Sequence, residues 1–554
     1  MIGSLIKVHW AFLILFLLAA FLFLSHIGNY QHFLRAESNF TLGARVSLDA
    51  GAVLLPYAPH ELPLNKPPLQ YWLIELSFAL FGVDFGTSRI PSALSALGVL
   101  LFVYLFALRF GGIKVGLLAS TMLGTSYIFL SFSRLSMNDM LLTLCVTAAL
   151  FSWITVLTDR SKPRPIMAVL GYVAVALGFL SKGPIALVMT ILPVVLDVMI
   201  QRDCSHVKRL KPVFGSAVLV LVGAPYFLLV YLYHGVEPLT NFFMNENLRR
   251  FAGTSYGISK PTAFLYEPQA YFANFAPWSP LLLTLGRLPR QWRMLPESHR
   301  HIARLLLLWI AVPIAFFTIS RFKLDYYFIP AMPPAALLMA FLIVHAPAIS
   351  QRVRIYGTIG FLLLLAIPTF FAGQIVEANF TETPWRWVPH VVASGTVAFA
   401  AICFIRSGAV TGLLALGFTV WAVSMTVYLV LLPVYARLQP VERLASKIPP
   451  NAHVYVSSSA SALSLDLGLY LPVEQAIKVI SNRIDDEQIP GVLRNDPNAV
   501  VLVFEQDYLE LIHHFEPTVI EQVEAQRYDK LTLKVLLHPV HERLYLLTGH
   551  QKTA

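Results

Sequence analysis

Charge is what this chain has little of. Only 13% of its 554 residues are Asp, Glu, Lys or Arg, against about 25% in a soluble domain. That shortfall excludes an ordinary soluble enzyme. Cysteine is scarce as well: Cys145, Cys204 and Cys403 are too few for a disulfide framework, and none stands in a metal-ligand spacing. No phosphate-binding glycine loop and no dinucleotide fingerprint occur. Their absence argues against an ATP-driven transporter and against an enzyme fed by a soluble nucleotide-sugar. There is no internal repeat and no low-complexity tract. Apolar residues are abundant instead. The chain is 56% hydrophobic, with 38 Phe, 22 Tyr and 9 Trp, which excludes disorder. The net charge of +10 is spread along the sequence, so nucleic acid explains it poorly and the positive-inside bias explains it better.

A spanning helix needs roughly 20 apolar residues. Runs of this kind predict thirteen spans, at about 8–27, 90–108, 115–133, 139–157, 166–181, 184–200, 213–233, 271–286, 303–320, 326–345, 355–374, 388–405 and 409–432. The first reads as a signal anchor. Leu69–Gly82 is short, follows Pro67-Pro68 and carries Glu75, so it reads as interfacial. With that reading Arg109, Lys114, the basic residues of 160–164, 202–211 and 287–304, Arg352, Arg354 and Arg406 become cytoplasmic, and so does the N-terminus. The opposite face holds the loop 28–89, the turn near 134–139, Lys182, the segment 234–270, the turn 321–326, the stretch 376–387 and everything after Pro433. The fold class is an α-helical polytopic membrane protein. Residues 1–433 form the membrane part, and 434–554 form a small extracytoplasmic α/β domain, signalled by β-rich runs at His453–Val456 and Val500–Phe504.

The outer face should be poor in Lys and Arg, yet Arg35, Arg45, Lys66, Arg134, Lys182, Arg249, Arg250, Lys260, Arg321, Lys323 and Arg386 lie there. Cations kept against the trend read as a pocket for an anionic headgroup, phosphate above all. The alternative is a set of snorkelling anchors. Glu37 follows the first span and Asp139 opens the fourth. Carboxylates beside cations at a span's edge suit general-base work or holding a polar acceptor. The alternatives are a partner for Arg35 in the case of Glu37 and an N-cap in the case of Asp139. Lys182-Gly183-Pro184 places a lysine between two apolar runs, as a ligand contact or an interface anchor. His513-His514 and His538-Pro539-Val540-His541 lack supporting ligands and read as surface histidines.

Four stretches together carry a family likeness: Lys66-Pro67-Pro68-Leu69-Gln70-Tyr71-Trp72, Asn138-Asp139-Met140-Leu141-Leu142-Thr143, Phe179-Leu180-Ser181-Lys182-Gly183, and Ile319-Ser320-Arg321-Phe322-Lys323 leading to Tyr327 and Pro330. Over about residues 1–430 the chain resembles the lipid-carrier-dependent glycosyltransferases of the GT-C fold. It resembles in particular the bacterial aminoarabinose transferases that modify lipid A, within the wider protein-mannosyltransferase-like group. The resemblance implies a polyprenyl monophosphate sugar as donor, attack on the side away from the cytoplasm, and a bacterial inner membrane. It implies acids at Glu37 and Asp139 and phosphate contacts at Lys66, Lys182 and Lys323. Two departures stand out. The family's first acid is replaced by Ala36, before Glu37. Its His-Glu-His-like run reads Asn245-Glu246-Asn247 here, and Asn65 stands where Glu is usual, which argues against a bound zinc.

The expected activity is inverting transfer of a sugar from a polyprenyl (undecaprenyl) phosphate carrier to lipid A, lipopolysaccharide or another envelope acceptor on the periplasmic face. Glu37 and Asp139 are the candidate catalytic groups. Lys66, Lys182, Arg321 and Lys323 are the candidate phosphate ligands. Arg45, Tyr71, Arg134, Glu246, Arg249, Arg250 and Tyr327 are candidate donor or acceptor contacts. No cofactor is expected, because ligand spacing does not support a divalent metal. The partners are the lipid-linked donor, the acceptor and membrane lipids. A transporter or flippase of a lipid-linked glycan is the alternative, and a non-catalytic assembly subunit a third reading. A transporter places ionisable groups near the midplane, whereas here they gather at one face.

Overall fold

The computed structural model describes residues 2–28, 35–52, 54, 66–159, 163–202, 205–253, 265–287, 289, 292, 295–346, 350–351, 388–426, 428, 441–458, 460, 467–472, 475, 477–480, 488–512, 517–526 and 541–548. From the N-terminus run α1 (Ile2–Leu24), α2 (Arg35–Asp49), α3 (Leu69–Phe81), α4 (Phe85–Phe110), α5 (Ile113–Gly124), α6 (Tyr127–Ser133), α7 (Asn138–Thr158), α8 (Pro165–Lys182), α9 (Ile185–Gln201) and α10 (Pro212–His234). Among the described residues six helices are long and apolar enough to cross a membrane, and α5 with α6 forms a pair bent by 70°, the geometry of a broken span or a re-entrant loop. Several of the other expected spans are shorter apolar helices, among them Ile185–Gln201 and Ile329–His345. The expected span at 271–286 is broken. The helix Tyr266–Asn274 stops, and a new short helix begins at Ser279, with Pro277, which lacks an N–H donor, in the gap. The expected span at 355–374 lies outside the described residues.

Local chemistry starts and packs these helices. Asp84 caps α4 by accepting from Gly86 N at 2.6 Å, while Thr87 Oγ1 accepts from Asp84 N at 3.1 Å, a reciprocal cap that satisfies two orphan donors. Small residues let helices approach closely in a membrane. Gly171 of α8 lies against Trp153 of α7, so near that an added Cβ would sit 2.1 Å from the indole nitrogen. The buried core joins α4, α5, α7 and the Met332–His345 helix.

The C-terminal part holds a five-stranded sheet in the order β2-β1-β3-β5-β4, with β1 (His453–Ser457), β2 (Ile477–Ile480), β3 (Ala499–Phe504), β4 (Thr518–Gln526) and β5 (His541–Thr548). Strand β1 runs parallel to β2 and β3, while β5 is antiparallel to β3 and β4. Every residue of β3 is buried, as a strand covered on both faces requires. Two separate apolar clusters cover the sheet. The sheet domain meets α2 through Arg45, whose Nη1 donates to the Gly468 carbonyl at 3.2 Å, and the start of α4 through Phe85 edge-on to Tyr470.

Candidate functional site

The site is built where α7 begins and α8 ends. Asn138 Nδ2 donates to the Ser181 carbonyl at 3.0 Å, and Ser181 Oγ donates back to the Asn138 carbonyl at 3.4 Å. This reciprocal tie puts the next residues side by side, and Lys182 Nζ donates to Asp139 Oδ1. Each charge suits its helix end: a carboxylate in a first turn and an ammonium in a last turn both oppose the local dipole. Asp139 is buried, and its second oxygen, Oδ2, has no hydrogen-bond partner.

Beside this pair lies a π-helix, Asn241–Arg249, with i→i+5 bonding of the kind that collects at functional sites. Gly183 permits the approach. It has φ +78°, and a Cβ there would stand 2.5 Å from the Phe242 ring, so only glycine fits. The π-helix delivers Glu246, whose Oε2 accepts from Lys66 Nζ at 2.9 Å and from Arg250 Nη1 at 2.8 Å. Burial pushes the Lys66 ammonium below its ordinary value; Glu246 opposes that, and the nearby Arg250 and Lys182 add to it. Tyr326 and Tyr327 close the cluster, with Lys182 Nζ at 5.8 Å and 5.1 Å from their ring centroids. Lys66, Lys182 and Arg250 therefore converge with Asp139 and Glu246.

Glu37 sits elsewhere. It is fully buried, accepting from Arg89 Nε at 2.7 Å and from the Ser136 backbone N at 2.8 Å. Arg89, equally buried, also donates to the Ile27 carbonyl at 2.7 Å. Ser136 Oγ donates to the Ser88 carbonyl and Ser92 Oγ to the Met137 carbonyl. Glu37 thus pins the turn that leads into Asp139. Among the described residues its ion-pair partner is Arg89; the side chain of Arg35, the partner in the alternative reading, lies outside them.

The other expected ligands make contacts outside these ion pairs. Lys323 caps the Glu297–Ile319 helix, donating to the carbonyls of Phe317 (2.9 Å), Thr318 (2.6 Å) and Ser320 (2.5 Å). Its ammonium bonds C-terminal carbonyls of the kind that every helix leaves open. Arg321 is exposed and lies against Gly253. Arg249 is exposed and donates to Asn245 Oδ1. Arg45 faces the sheet domain and Asp49. Arg134 is buried, donating to the Leu22 and Ser25 carbonyls under the Tyr428 ring. Tyr71 packs on Phe40. Lys260, Arg386 and Asn65 lie outside the described residues.

Sequence reasoning missed three groups. Arg89 carried a weak signal, as a charge opening an apolar run. Tyr326 is adjacent to a residue that was singled out. Glu267 gave no signal at all. It is fully buried, and burial first of all pushes its carboxyl up to about 7, with Asp325 acting in the same direction and Lys323 opposing.

Residues 65–228 match the family described as dolichyl-phosphate-mannose-protein mannosyltransferase. The chain is 29% identical over 404 residues to an undecaprenyl phosphate-alpha-4-amino-4-deoxy-L-arabinose arabinosyl transferase of Pectobacterium carotovorum, covering 71% of this chain and 69% of that one. A similarly named transferase of Pseudomonas fluorescens is 29% identical over 432 residues, covering 74% and 72%. The crystal structure of ArnT from Cupriavidus metallidurans bound to undecaprenyl phosphate superimposes with a TM-score of 0.76 at 18% identity, covering 98% of this chain and 99% of that one. The fold is therefore shared along nearly the whole chain. The resemblance read from the four motifs is borne out.

Proposed function

We propose that this chain is an integral membrane glycosyltransferase. It moves a sugar from an undecaprenyl phosphate carrier to lipid A or another envelope acceptor on the periplasmic face of a bacterial inner membrane, with its N-terminus in the cytoplasm. The observation that supports this most is the convergence of Lys66, Lys182 and Arg250 around Glu246, Asp139 and two tyrosines.

In this reading the three cations receive the donor's phosphate. An acceptor oxygen attacks the anomeric carbon from the face opposite the phosphate. The carbon–oxygen bond to phosphate breaks, its electron pair stays on the leaving polyprenyl phosphate, and the configuration inverts. Preorganised cations stabilise that growing charge in a low-dielectric site. A hydroxyl acceptor passes its proton to the open Oδ2 of Asp139. An anionic phosphate acceptor has no proton to lose, which fits the alanine at position 36. Glu37 then acts as a positioning residue, through Arg89 and the Ser136 turn.

The experiment is mass spectrometry of lipid-linked sugars and envelope glycans from cells with and without this gene. Accumulation of one polyprenyl phosphate sugar, with the same sugar missing from one envelope glycan, is the expected result. Accumulation of a complete lipid-linked oligosaccharide would instead favour the transport reading.

A further inference from the structure

One carboxylate near this cluster has no task in the mechanism above. Glu267 is fully buried, and neither of its oxygens has a hydrogen-bond partner. Native structures pair buried charges, so an unpaired one calls for an explanation. Its place in the first turn of the Tyr266–Asn274 helix gains something from the dipole, but less than desolvation costs.

The helix face shows where Glu267 looks. Glu267, Tyr271 and Asn274 follow at i, i+4 and i+7 and share one face. Tyr271 Oη donates to the Ala331 carbonyl at 3.1 Å, and Asn274 Nδ2 donates to the Asp325 carbonyl at 2.9 Å. That face therefore lies on the 320–331 segment. Lys323 and Asp325 are electrostatic neighbours of Glu267 there. Lys323 lends charge only, since its ammonium bonds three backbone carbonyls. Tyr327, on that same segment, is the link to the proposed phosphate cluster: its ring centroid lies 5.1 Å from Lys182 Nζ. A sugar bonded directly to the carrier phosphate occupies the space next to that cluster.

We infer that Glu267 determines sugar specificity by pairing with an ammonium group on the transferred sugar. The inference rests on the glycosyltransferase reading. A buried carboxylate without a donor is complementary to a cation, and a bound amino sugar would supply both the charge and the missing hydrogen bonds.

The test uses the full chain in nanodiscs and three probes: bare undecaprenyl phosphate, undecaprenyl phosphate carrying 4-amino-4-deoxy-L-arabinose, and the same lipid carrying L-arabinose. Glu267→Gln keeps shape and one acceptor oxygen but removes the charge. The wild type is expected to bind the amino donor about tenfold or more tighter than its hydroxyl counterpart, the size of a charged hydrogen bond. Glu267→Gln is expected to erase that preference and leave binding of the bare carrier within about twofold. Equal weakening of both sugar donors, or an unchanged preference, overturns the role of Glu267 and leaves the carrier site standing. A wild type that fails to bind the bare carrier overturns both readings.

Discussion

The sharpest test of how the site is divided is the buried pair Glu37–Arg89. Both side chains are fully buried, joined at 2.7 Å, and Glu37 also takes the Ser136 N–H. Removing one partner of a buried pair leaves an uncompensated charge and costs about 3–5 kcal/mol, whereas replacing both by apolar groups of similar volume is close to neutral. Arg89→Met alone should therefore lower the midpoint of thermal unfolding in detergent strongly, and Glu37→Leu should do the same. The double variant should recover most of that stability. Turnover carries the discrimination. As a positioning residue, Glu37 in its isosteric Gln form still accepts from Arg89 and Ser136, so Glu37→Gln should lose less than about tenfold in kcat. As a general base it would lose about 10²–10⁴-fold. A Glu37→Gln protein with wild-type stability and a hundredfold lower kcat would refute the positioning role.

Further outcomes follow from the same geometry. Lys66→Ala and Arg250→Ala should each weaken binding of undecaprenyl phosphate by about tenfold; because both donate to Glu246, their double-mutant cycle should be non-additive. Glu267, pushed up to about 7, is ionised only above that pH. Preference for an amino-sugar donor should therefore rise between about pH 6 and pH 8 in the wild type and stay flat in Glu267→Gln; its charged neighbours Lys323 and Asp325 are present in both proteins, so the comparison isolates the Glu267 step. The stability sign is opposite. A raised carboxyl contributes stability that is complete below its ordinary value of 4.5 and is lost as pH rises through about 7, so the ligand-free protein should unfold more easily at pH 8 than at pH 5, and Glu267→Gln should flatten that difference. Gly171→Ala would set a Cβ 2.1 Å from the Trp153 indole; overpacking of this kind costs about 1–3 kcal/mol, and calorimetry should show it together with reduced turnover, since α7 and α8 carry Asp139 and Lys182 at their far ends.

The helices were legible because apolar runs need no partner to be recognised. The cluster of cations and carboxylates was legible only in part. Lys66, Lys182 and Asp139 stand in short motifs whose order carries a family likeness, but nothing local says that Asn138 and Ser181 tie two helix ends together across 43 residues. Arg89 finds Glu37 across 52 residues, and only the packed bundle reveals that the acid is engaged. Lys323 was ambiguous for the opposite reason. Its role is local, capping the helix just before it, and a lysine after a helix end reads the same whether it meets carbonyls or a ligand. The break in the expected span at 271–286 was visible in Pro277 but was masked by the length of the apolar run. Glu267 is silent because burial, not residue type, makes it unusual.

The charge balance of the cluster bears on the order of events. Three cations, Lys66, Lys182 and Arg250, face two carboxylates, Asp139 and Glu246, which leaves one net positive charge. The carboxylates do not cancel the site; they hold long, flexible cations in place before the ligand arrives, so less is lost on binding. A sugar–phosphate–prenyl diester carries one negative charge and balances the site. The leaving polyprenyl phosphate is a monoester with a second pKa near about 6, so it carries about −1.5 to −2 at pH 7. In the proposed reaction the site would therefore interact more strongly with the charge that appears as the bond breaks than with the donor, which is what raises a chemical rate rather than mere binding. The same asymmetry makes the product the tighter ligand. Bare undecaprenyl phosphate should inhibit competitively against the donor with a Ki below the donor's Kd, and Arg250→Ala should raise that Ki more than it raises the donor's Kd. Equal shifts for the two lipids would mean that the cations grip the carrier uniformly and do not favour its departure.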